Sequence, residues 1–175
     1  MRPVRAALGC AMAGSVLLGA SGGFAANMPA GGTVRIFVVP GKSQGQGTIV
    51  LAGAIGDYGK THKVNKNGIG EAVLQKGTFQ VNLAGIQKKL NNSKPIILDK
   101  TTCSYVFGAT APVTLLNGTG AYKGISGTLM LTETFAGYGP FYKSGTHKGQ
   151  CNTSNNATPL AQYGSVQGVG TVKFG

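Results

Sequence analysis

Seven Gly-Thr pairs, beginning at Gly32, Gly47, Gly77, Gly118, Gly127, Gly145 and Gly170, constrain this chain more than any other feature. Glycine lets the backbone turn where a Cβ would clash, and threonine suits the first pleat of a strand. Most of the pairs open a β-branched or alternating run, so the sequence reads as a succession of short antiparallel strands. Their spacing is irregular, which excludes a solenoid or tandem array. Strands are expected over 33–39, 48–55, 60–66, 69–75, 78–83, 102–107, 113–116, 128–135, 141–147 and 163–174. Helix is expected only as a single turn over 86–90, ended by Asn91-Asn92 before Pro95.

The segment 113–135 organises the rest as strand, glycine turn, strand. Asn117-Gly118 is expected to supply two positive φ values, with Gly120, Gly124 and Gly127 bending the chain. Asn67-Gly68 predicts a two-residue hairpin turn between Lys66 and Ile69. Many short strands with almost no helix imply an all-β fold, a single antiparallel β-barrel, with a β-sandwich as the alternative. The run Gly118-Thr119-Gly120-Ala121-Tyr122-Lys123-Gly124-Ile125-Ser126-Gly127-Thr128 resembles a turn found late in the barrel of allene oxide cyclase-like and dirigent-like proteins. That resemblance implies an antiparallel barrel with an apolar cavity and no cofactor, in a superfamily of cyclases and proteins that orient radical coupling. No flanking motif matches position by position, so it carries over no catalytic residue.

The N-terminus places Arg2 and Arg5 before an apolar, small-residue run over 6–20 and then Ser21-Gly22-Gly23-Phe24-Ala25, the pattern of a secretory signal peptide. Gly23 and Ala25 fit the positions three and one before a cut, so residues 1–25 are expected to be removed and 26–175 to form one domain. The expected location is secreted, periplasmic or in the cell envelope. A lipid-anchored Cys10 is the weaker alternative, because its neighbours Ala7-Leu8-Gly9 match poorly. No later apolar run approaches the roughly 20 residues of a membrane-spanning helix. In an oxidising compartment, Cys103 and Cys151 are expected to pair.

The chain carries 16 Lys and Arg against 4 Asp and Glu; without Arg2 and Arg5 the balance is 14 against 4, a net +10 with Arg35 as the sole arginine. Nucleic-acid readers rely on clustered, arginine-rich contacts, whereas these lysines are spread along the chain, so a nucleic-acid partner is not expected. A lysine-studded surface keeps a glycine-rich exported protein soluble, and it also suits attraction to anionic cell-envelope polymers. Gly41-Lys42-Ser43 lacks the upstream glycine and following helix of a P-loop. The Gly118, Gly120, Gly124 spacing misses a dinucleotide turn by one residue. His62 and His147 sit in polar surroundings, and the carboxylates lie far apart in sequence, so no metal or other cofactor is signalled. Asp57, before Tyr58-Gly59, reads as a turn residue.

Glu133 stands apart. It alternates in phase with Leu129, Leu131 and Phe135, so an apolar interior would contain a carboxylate. A carboxylate there needs a partner or a raised pKa, and is the candidate catalytic acid or base, with Tyr122 or Tyr138 as an assistant. Tyr122, Tyr138 and Tyr142 are the candidate ligand-binding aromatics, the last two forming a rim on the 137–140 loop. Three functions follow: a non-enzymatic module binding a small apolar ligand, a cofactor-free cyclase or isomerase using Glu133, and a cationic envelope-interaction protein.

Overall fold

The computed structural model describes residues 30–41, 46–62, 65–154 and 156–175. The expected signal segment 1–25 and Cys10 lie outside the described residues. Alternation builds the first strand, β1 (Gly31–Pro40), with Val34 and Ile36 buried and Arg35 and Phe37 outside. It is followed by β2 (Gly47–Gly53), β3 (Asp57–His62), β4 (Ile69–Leu74) and β5 (Gly77–Asn82). A helix, α1 (Ala84–Asn92), and a short strand, β6 (Ile96–Asp99), precede three long strands: β7 (Ser104–Leu116), β8 (Ser126–Tyr138) and β9 (Ala161–Lys173).

All pairings are antiparallel, in the order β5-β4-β3-β2-β1-β9-β8-β7. The sheet closes where Gln80, Val81 and Asn82 of β5 pair with Leu116, Leu115 and Thr114 of β7. The result is a closed eight-stranded antiparallel barrel, a size whose interior side chains can fill or which can hold one small ligand. The β6 strand adds to β7 at Ser104–Val106's level, through Ile96↔Val106 and Ile97↔Tyr105. Between these two pairings the edge of β7 has no partner strand. There α1 lies against it, and the Lys89 ammonium donates to the Thr110 carbonyl at 2.8 Å. Pro112, which has no N–H to offer a ladder, stands in that strand-free interval.

The two ends of the barrel are closed differently. At the lower end a 3₁₀ turn, Gly120–Tyr122, joins β7 to β8. It drives Tyr122 into the core edge-on to Phe79, ring centroids 5.6 Å apart, beside Ile55 and Ile125. At the upper end α1 lies across the opening with Ile86 fully buried and Leu90 packed one turn later on the same face. The Asn82 side chain accepts from the Ala84 N–H at 3.1 Å, and the Ser93 hydroxyl donates to the Leu90 carbonyl at 2.7 Å.

Several expectations are corrected. The stretches 104–107 and 113–116 belong to one strand, β7, because Gly108, Ala109 and Pro112, weak strand formers, are carried by their register with β8, while 102–103 precede it in a turn. The segment 141–147 is a loop and not a strand, tied to the chain that follows by the bridge Phe141↔Cys151 and by backbone bonds from the Tyr142 N–H to Gln150 and from the Gly149 N–H to Tyr142. The helix has nine residues rather than one turn. The strand expected over 60–66 occupies Asp57–His62, with 63–64 outside the described residues. In the hairpin that follows, Gly68 has positive φ but Asn67 does not; the Asn65 carboxamide holds the turn by accepting from the N–H groups of Asn67 and Ile69. At the lower corner Asn117 has positive φ and Gly118 does not. Cys103 and Cys151 are disulfide-bonded, with their Cα atoms 5.4 Å apart.

Candidate functional site

Along β8 the pleat turns Leu129, Leu131, Glu133 and Phe135 to the inside, as their alternation predicts. Glu133 is opposite Ala109 of β7 and Val166 of β9. Both neighbours are apolar and neither is large, so space remains beside the carboxylate. It borders an upper-lumen cavity of about 700 Å³ whose walls include Ile36, Val38, Ile49 and Val81 from the barrel and Ile86 and Leu90 from α1. Glu133 is half-buried and has no hydrogen-bond partner among the described residues. Burial pushes its carboxyl above the usual carboxylate range.

Three aromatic rings lead toward Glu133. Tyr105, Phe107 and Phe135 form a stacked row, with centroids 6.0 Å apart for the first pair and 5.0 Å for the second. The Tyr105 hydroxyl donates to the Gln162 carboxamide at 2.8 Å. Room for this row comes from β9: a Cβ on Gly164 would lie 2.9 Å from the Phe135 ring, and one on Gly168 equally close to the Leu131 side chain. A second cavity of about 510 Å³ lies beside the disulfide and shares Leu90, Asn91, Phe107 and Gln162 with the first.

The other candidate residues do not gather around Glu133. Tyr122 is fully buried at the opposite end, and its hydroxyl donates to Asp57 Oδ2. Its pKa is raised, by burial first and then by the bond to Asp57 and that residue's charge. It therefore belongs to the barrel floor and not to a ligand rim. Tyr138 points outward from the end of β8, 51% exposed. Tyr142 packs beside His147, with ring centroids 5.6 Å apart. Neither Tyr138 nor Tyr142 borders the lumen cavity; the aromatic surface there is supplied by Phe107 and Phe135.

Asp57, read from sequence as a turn residue, is the buried acceptor of the floor. It receives the Tyr122 hydroxyl, the Tyr58 N–H at 2.7 Å and the Lys76 N–H at 3.0 Å. Burial alone would push its carboxyl up, but these bonds, with the Lys76 charge, more than offset that and hold it below the usual range. Phe107 and Tyr105 were legible in principle, since they share the inward phase with Ala109 and Ala111, but reading β7 as two fragments hid that phase. Among the described residues no three His, Cys, Asp or Glu side chains gather as a metal site would require, and no helix is long and apolar enough to cross a membrane.

Comparison of the chain with protein-family models, with curated proteins and with solved structures finds no match.

Proposed function

We propose that the protein is an exported, non-enzymatic binding module that holds a small, largely apolar molecule in the upper lumen of its barrel. The observation that carries this reading is the cavity itself: about 700 Å³ of space under α1, walled mainly by aliphatic and aromatic side chains, with Glu133 as a polar group in its wall. Its size falls within the ~300–1,000 Å³ of small-molecule sites, which pair apolar walls with a few polar groups that fix orientation. The leader-like N-terminus and the disulfide support export. Native mass spectrometry of the exported protein tests both parts. A mature chain beginning near Ala26 with a co-purifying small molecule is expected; an intact Met1 chain, or an empty barrel that takes up no apolar probe, refutes it.

The raised pKa of Glu133 favours a second reading, a cofactor-free cyclase or isomerase in the same cavity. Such chemistry needs a second proton-handling group at the reacting atoms; Tyr122 and Tyr138 lie elsewhere, and the other ionisable residues bordering the cavity, His62 and Glu71, are at its mouth. The binding reading asks for no such partner.

A further inference from the structure

Among the described residues, charges are sorted between the outside of the protein and its inside. Every described lysine is exposed, as is Arg35, and none of them lines the lumen cavity. Two of the chain's 4 acidic residues face inward, Asp57 on the floor and Glu133 on the cavity wall. Glu71 borders the mouth on β4 opposite His62 of β3, in the outward phase of a strand whose Gly70, Ala72 and Leu74 are buried. Glu133 sits deeper, between Ala109 and Val166. A chain so rich in cations has many ways to pair a carboxylate, yet among the described residues nothing pairs Glu133.

We propose that the cavity selects a lipophilic amine, with its ammonium group set against the Glu133 carboxylate and its hydrocarbon part laid along Phe107, Phe135 and the aliphatic wall. This assignment rests on the binding reading above and narrows it to one chemical class. A carboxylate in an apolar setting leaves costly desolvation unrepaid when the bound molecule is a plain hydrocarbon or an alcohol with one hydroxyl. An ammonium repays it with a charge-assisted hydrogen bond, and a fatty acid sets a second anion beside the first. Phe135 lies two residues along the same face from Glu133, and Phe107 stacks on it at 5.0 Å, so an ammonium at the carboxylate also has aromatic surface within reach. Ala109, directly across from Glu133, keeps the space beside the carboxylate open.

The test is calorimetric titration of the mature, disulfide-bonded protein at neutral pH with three probes of one chain length: decylamine, decanol and decanoate. Decylamine is expected to bind about tenfold or more tighter than decanol, the scale of one charge-assisted contact, with decanoate the weakest. In Glu133→Gln the amine should lose that advantage, while Glu133→Asp, which keeps the charge, should leave the amine ahead of the alcohol. Equal affinities for amine and alcohol in the native protein, or decanoate as the tightest ligand, overturn amine selection and leave apolar binding standing. Persistence of the amine preference in Glu133→Gln overturns the role of Glu133. Failure of all three probes to bind overturns the binding reading itself.

Discussion

Tyr122 and Asp57, 65 residues apart in sequence, meet at the floor of the barrel, where the tyrosine hydroxyl donates to the buried carboxylate. The bond ties the turn between β7 and β8 to the start of β3 on another part of the barrel wall. Removing the hydroxyl in Tyr122→Phe is expected to destabilise by about 1–3 kcal/mol, the cost of taking one partner from a buried charged acceptor. Thermal melts of the two proteins measure it.

Asp57 also makes stability depend on acid. Its folded pKa lies below its ordinary value of 3.8, so its contribution is present above that value and is lost as pH falls through the folded pKa. The melting gap between the native protein and Asp57→Asn should therefore be widest above about pH 5 and shrink in strong acid. A gap that stays constant across that range refutes the assignment.

Glu133 has the opposite sign. Its folded pKa is raised above the ordinary 4.5 by burial, so at low pH, where both folded and unfolded chains hold the proton, it carries no penalty. As pH rises the unfolded chain ionises first, and stability is lost until the pH passes the folded pKa. Its cross-strand neighbours Ala109 and Val166 do not titrate; the other ionisable residues bordering the cavity are His62 and Glu71 at the mouth. Without added ligand, Glu133→Gln should melt higher than the native protein at neutral pH, and the two should converge in acid. A series of melts against pH decides it.

Two glycines of the lower corner are expected to resist substitution. Gly120 and Gly124 have φ of 57° and 74°, and a Cβ would lie 2.4 Å from the Lys76 carbonyl oxygen at the first and 2.8 Å from the Gly175 backbone at the second. Valine at either position should cost more than about 1 kcal/mol, because strained backbone and a steric overlap coincide. Unchanged melting of both variants would show that the corner gives way easily.

The disulfide predicts that the native protein has no thiol titratable at Cys103 or Cys151. Cys103→Ser should lower stability by roughly 2–5 kcal/mol, the usual effect of losing a native bridge in a small secreted domain.

The barrel was legible because its strands state their period openly. Leu129, Leu131, Glu133 and Phe135 disclose an inward face by alternation alone, and the position of Glu133 follows from that phase. What alternation cannot disclose is closure. The pairing of β5 with β7 spans only Gln80–Asn82 against Thr114–Leu116 and carries no local signature. The same limit hid the partner of Asp57, since a carboxylate in an Asp-Tyr-Gly turn looks the same whether or not a tyrosine 65 residues later reaches it. Gly108 to Pro112 read as a break because propensity speaks against strand there, while the continuous ladder to β8 overrides it. Tyr138 and Tyr142 are close along the chain, but neither borders the lumen cavity, and proximity in sequence could not disclose that.

The closed floor has a consequence for size selection. With Tyr122 and Asp57 sealing the lower end, the lumen has no exit below. On the binding reading proposed above, a guest held at Glu133 would have a fixed depth available, so the vessel would act as a ruler. In a homologous series, each added methylene would gain contact until the chain met the layer of Leu129 and Leu131, and beyond that length the surplus would have to bend back toward the mouth.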